Sequence, residues 1–142
     1  MGRGQEGRGA VVKPDGAPRG FGEAVFGGES VGVPGVGRMM ALAHRHPGKL
    51  PWAQLFEPAI KLAVDGFAVS PRLHASLKDM GGKNFADAAR ALYFGDAGEP
   101  RAAGHVLKNP ALAETLRAIA SGGPDAFHRG PIGEAIVQAV AT

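Results

Sequence analysis

The chain has 142 residues, with 16 Lys and Arg against 13 Asp and Glu, a formal charge of +3 and no cysteine. Its length suits about one domain with a real core, and no apolar run approaches the roughly 20 residues of a membrane span. Disulfides, thiolate metal sites and cysteine nucleophiles are excluded, and scattered basic residues with few aromatic neighbours argue against a nucleic-acid face.

Apolar residues make up 44% of the chain but aromatics only 6%, beside 23 glycines, so Ala, Leu, Val and Ile must supply most of the packing. Residues 1–22 read as an irregular Gly/Pro-rich segment, with Asp15-Gly16 as a turn. Residues 1–10 lack the apolar stretch of a signal peptide, which leaves the location open. Residues 23–142 read as a mostly helical unit. Val25, Phe26, Val31 and Val33 suit an extended segment over residues 21–33, interrupted by Gly27-Gly28. Val36, Met39, Met40 and Ala43 recur at helical spacing over residues 36–46, and Pro47-Gly48 stops that helix.

A second helix is expected over residues 52–65, with the stripe Leu55, Ala59, Leu62 and Ala63. Pro58 should kink or break it near Gln54 or Leu55, because proline has no N–H and its ring meets the carbonyl four residues earlier. Gly66 is placed to cap its end. Ser70-Pro71 opens a helix to about Met80. Asn84 is expected to cap a helix through Tyr93, and residues 96–104 form a loop. Asn109-Pro110 starts a helix with Leu112, Leu116 and Ile119 on one face, ended by Gly122-Gly123. After a short turn at residues 124–129, a last helix runs from Pro131 with Ile132, Ile136, Val137 and Val140.

Two segments carry a resemblance. Ser30-Val31-Gly32-Val33-Pro34-Gly35 leads into a helix and then into Gly48, Lys49, Leu50, Pro51, Trp52, Leu55, Pro58, Ala59, Ile60, Leu62 and Ala63. Further on come Gly104, Leu107, Pro110, Leu112, Ala113, Thr115, Leu116, Ile119, Ala120, Gly123, Phe127, Gly130, Ile132 and Ile136. In order and spacing this resembles part of the large subunit of the gamma-glutamyltransferase family, over about residues 21–140. His128 and Gly133 stand where that family often has Tyr and Ala. The resemblance implies a mostly α fragment of an α/β N-terminal-nucleophile hydrolase with α/β/β/α layers. It implies transfer of the gamma-glutamyl group of glutathione or related compounds to amino acids or water, through an N-terminal threonine of a small subunit. The implied partners are the rest of the large subunit and the catalytic small subunit. The family is commonly periplasmic or extracellular. A related acylase fragment, or a helical interaction module without catalysis, are the alternatives.

The residues of this chain are assigned no catalytic, substrate-binding, cofactor or metal role. Thr115 lies inside a helix pattern, where its hydroxyl should bond a carbonyl one turn earlier, and Thr142 stands last in the sequence and does not fit an N-terminal nucleophile. Arg3 and Arg8 depart from the pattern around the family's substrate-binding arginine. His44 and His46, two apart on a helix, point to different sides and converge poorly on one ion. Glu57 and Asp65 read as solvated or capping carboxylates. Residues 32–37 lack the Lys-Ser/Thr of a phosphate loop. Trp52 reads as a packing anchor, and Met39-Met40 as helix packing. The chain alone is expected to be inactive.

Overall fold

The computed structural model describes residues 12–13, 15–25, 28, 31–46 and 48–141. Helices dominate them: α1 (Phe21–Val25), α2 (Val36–His44), α3 (Glu57–Asp65), α4 (Pro71–Met80), α5 (Asp87–Tyr93), α6 (Pro110–Gly122), α7 (Asp125–His128) and α8 (Gly130–Val140). Two short strands, β1 (Phe67–Ala68) and β2 (Val106–Leu107), pair antiparallel with Phe67 opposite Leu107 and Ala68 opposite Val106. None of these helices is long and apolar enough to cross a membrane.

The caps follow from residue chemistry. The Ser70 hydroxyl accepts from Leu73 N at 3.1 Å and the Asn109 side chain from Leu112 N at 3.0 Å, each satisfying an otherwise unpaired donor of the first turn. Pro71 and Pro110 follow directly, where a missing N–H costs nothing. Gly66 ends α3 at φ 92 and ψ 169, a conformation essentially restricted to glycine. Asp15-Gly16 forms the expected turn: Asp15 Oδ1 accepts from Ala17 N at 3.0 Å, and Val12 bridges to Pro18.

Pro58 breaks the second helix as expected. Residues Trp52–Phe56 form a 3-10 turn, and α3 begins at Glu57. The carbonyl of Gln54 accepts from Glu57 N, so the chain tightens where proline forbids the regular ladder.

Two expectations need correction. Residues 21–25 form helix α1 rather than an extended segment. An isolated strand leaves its N–H and C=O groups without partners, and no neighbouring strand is available among the described residues; a helical turn satisfies them locally, with Ala24 N bonded to Gly20 O at 2.9 Å. Phe26, Gly27, Glu29 and Ser30 lie outside the described residues, as do residues 1–11, Pro14, Pro47 and Thr142. The second correction concerns Asn84. It sits in a turn, Ala86 holds the cap position of α5 without a side-chain bond, and the helix begins at Asp87. Phe85 instead packs edge-on against Tyr93 and Phe94, at 6.2 and 5.3 Å.

The β1–β2 ladder was not legible in the sequence. It continues beyond the two strands: Val69 N bonds His105 O, and Gly104 N bonds Val69 O, both at 2.8 Å. It brings α3 and α6 side by side, and Asn109 N bonds Ala63 O at 2.8 Å. α6 is the hub, packing against α3, the 3-10 turn and α7, while α8 packs on α7. The buried described residues are Ala63, Val69, Leu77, Phe94, Leu107 and Ala113, every one apolar. They come from α3, β2, α4 and α6 and from the positions just after β1 and α5.

Candidate functional site

The most connected group of side chains surrounds Trp52. The 3-10 turn forced by Pro58 presents the indole to the last turns of α6, and its Nε1 donates to Ile119 O at 3.2 Å. Phe56 meets it edge-on at 5.0 Å and His44 at 5.6 Å. His44 Nε2 donates to Leu50 O at 2.9 Å, which folds the link between α2 and the 3-10 turn back on itself. A second tie holds the other end of α2. Arg38 donates to Asp125 Oδ1 at 2.7 Å, across 87 residues of sequence. The Arg38 hydrogen bond holds the Asp125 carboxyl below its ordinary value of 3.8, and the charges of Arg38, Arg129 and His128 act in the same direction. These groups fix where α2 sits. They contain no pairing of a nucleophile with a base.

The residues weighed for chemistry are dispersed. Thr115 Oγ1 donates to Ala111 O at 3.1 Å, the back-bond expected of a mid-helix threonine. His46 is exposed in the turn after α2, and no group of three metal-ligating side chains gathers among the described residues. Asp65 pairs with Lys61 on the surface of α3. The Lys61 hydrogen bond lowers the Asp65 carboxyl, and the same contact raises the Lys61 ammonium. Glu57 is exposed in the first turn of α3, facing solvent where the helix dipole favours it. Residues 32–35 form an irregular lead into α2, whose first turn contains Gly37. Arg3, Arg8 and Thr142 lie outside the described residues. His128 is half-buried against Phe127 at 5.5 Å, and its Nε2 finds no hydrogen-bond partner among the described residues.

Cavities add no hidden centre. A cleft of about 710 Å³ beside the end of α4 is lined by Lys78, Asp79, Lys83, Asn84 and Arg90. Arg90 is already committed to Phe85 O and Asp87. A groove of about 410 Å³ between α6 and α8 is floored by Ala118, Ala126 and Ile132. Both are open troughs.

A family model described as gamma-glutamyltranspeptidase matches residues 9–142. The chain belongs to the gamma-glutamyltranspeptidase family. Glutathione hydrolase 2 of Arabidopsis thaliana is 41% identical over 112 residues, which cover 79% of this chain and 19% of that protein. The glutathione hydrolase 5 proenzyme of Homo sapiens is 39% identical over 117 residues, covering 81% of this chain and 20% of that one. Among solved structures, Helicobacter pylori gamma-glutamyltranspeptidase superposes with a TM-score of 0.81 at 27% identity, over 90% of this chain and 37% of its own. The chain therefore spans about a fifth of the length of the curated relatives it matches. The two quoted segments signalled the family in the sequence, whereas the Arg38–Asp125 tie left no local sign, because its partners meet only once the fold has formed.

Proposed function

We propose that residues 23–142 are helical scaffold of a gamma-glutamyltransferase with the α/β/β/α fold of N-terminal-nucleophile hydrolases. In the whole enzyme an N-terminal threonine attacks the gamma-glutamyl carbonyl of glutathione or a related compound. An ester forms and cysteinylglycine, or the corresponding amine, leaves. Water or an amino acid then releases the gamma-glutamyl group. Backbone N–H groups stabilise the oxyanion in both steps. The nucleophile, the oxyanion donors and the groups that hold the glutamyl carboxylate come from outside this chain, in the rest of the large subunit and in the small subunit. Relatives named as proenzymes support a partner made by cleavage. This chain's own contribution is positional.

The observation that carries this reading is the superposition of nine-tenths of the chain on 37% of the solved Helicobacter pylori gamma-glutamyltranspeptidase chain. The Thr115 hydroxyl, tied to its own helix, supports a non-catalytic role. The test is a graft. Residues 23–142 replace the matching stretch of the Arabidopsis glutathione hydrolase 2, and release of chromophore from a gamma-glutamyl anilide is followed. The graft should turn over and the chain alone should not. Turnover by the purified chain, or a dead graft, would sink the reading.

A further inference from the structure

α2 turns its own apolar stripe away from the fold. Gly37, Ala41 and His44, one turn apart on one face, are its half-buried residues. From that face His44 reaches Leu50 and Trp52. The large apolar residues flank that face: Val36, Met39 and Met40, 58%, 57% and 55% exposed, lie about a third of a turn to one side, and Leu42, 63% exposed, lies about as far to the other. Ala43 completes the row of Val36, Met39 and Met40 and is exposed too. A helix that faced only water would carry polar residues there. Methionine pairs instead suit an irregular apolar surface that has to be filled.

The tether of α2 is polar and sparse: the Arg38–Asp125 pair at one end and His44 at the other.

We infer that the row Val36, Met39, Met40 and Ala43 is the seam on which the remainder of a gamma-glutamyltransferase packs, through an apolar surface of that remainder. The inference rests on the function proposed above. The row carries no charge, so its partner surface is apolar. It lies within the matched residues, and those residues cover only about a fifth of the relatives that share them.

Two preparations test it, the graft and the full chain alone. Met39→Glu and Met40→Glu, separately, should leave the helix content and unfolding midpoint of the chain alone unchanged. In the graft the same changes should lower turnover at least about tenfold, because a charge would be buried without a partner. Lys83→Glu, at an exposed polar position outside α2, is the control and should leave the graft active. Grafts with Met39→Glu and Met40→Glu as active as the unmodified graft overturn the seam and leave the proposed function standing. An unmodified graft without activity overturns both. A tight homodimer of the chain that either substitution dissolves would seat a second copy on the row and overturn the seam as well.

Discussion

Gly66 joins α3 to β1, and replacing it with alanine probes how α3 and α6 are brought together. Its φ of 92 and ψ of 169 lie where a residue with a side chain is strained by about 1–3 kcal/mol. An added Cβ would lie 2.6 Å from Val106 Cγ1, 2.8 Å from Lys108 Cγ and 3.0 Å from Leu107 O. The Val106 and Lys108 side chains are exposed and can swing away. Leu107 O cannot, because its strand is paired with β1. Strain therefore dominates, and Gly66→Ala should cost about 2–3 kcal/mol. Gly37→Ala provides the contrast. Gly37 lies inside α2, its Cβ would meet nothing within 4 Å, and its backbone is helical. There alanine should stabilise by up to about 1 kcal/mol through helix propensity alone. Urea unfolding followed by far-UV circular dichroism should order the midpoints Gly37→Ala, then wild type, then Gly66→Ala. A Gly66→Ala midpoint at or above wild type would refute the claim that the α3–β1 joint requires this conformation.

The Arg38–Asp125 tie makes a pH prediction. Asp125 is held below its ordinary value of 3.8 in the folded chain, so its contribution is complete above that value and is lost as pH falls through the depressed one. The difference in unfolding midpoint between wild type and Asp125→Asn should stay constant near neutrality and shrink below about pH 4; a difference that grows on acidification contradicts the assignment. Trp52→Phe keeps an aromatic ring but deletes the donor to Ile119 O. It should cost about 1–2 kcal/mol, seen as a lower thermal midpoint by circular dichroism, and an unchanged midpoint would mean that the indole does not anchor α6.

Local chemistry carried most of what was legible in the sequence. Ser70, Asn109, Gly66 and Pro58 each act within a turn or two, and each did what its side chain or ring dictates. The failures were non-local or competitive. The segment after Phe21 has strand-forming residues, but a strand needs a neighbour, and the helix wins where none is present. Asn84 has capping chemistry, yet Phe85 is drawn to Tyr93 and Phe94, which shifts the start of α5 to Asp87. β2 is two residues long and preceded by glycine and histidine, too short for any periodicity to show. As for chemistry, the sequence pointed to none in these residues, and Thr115, His44, Glu57 and Asp65 each sit apart from the others, in separate local contacts or in solvent.

The placement of α2 separates two kinds of order in this chain. The α3–α6 pair and the strand ladder bury Ala63, Leu107 and Ala113 and share backbone hydrogen bonds, so hydrophobic packing and the ladder together fix their positions. α2 buries no residue completely. It is located by one exposed ion pair, the His44 hydrogen bond and the edge contact of His44 with Trp52, interactions that contribute little each. A helix with four neighbouring apolar residues and so light a tether gains most of its stability only when that row is covered. The invariant part of the scaffold is then the α3–α6 seam, and α2 is the element whose position a partner sets. Substitutions at Ala63 or Leu107 should therefore act on the chain by itself, whereas substitutions at Met39 or Met40 should act only in the assembled enzyme.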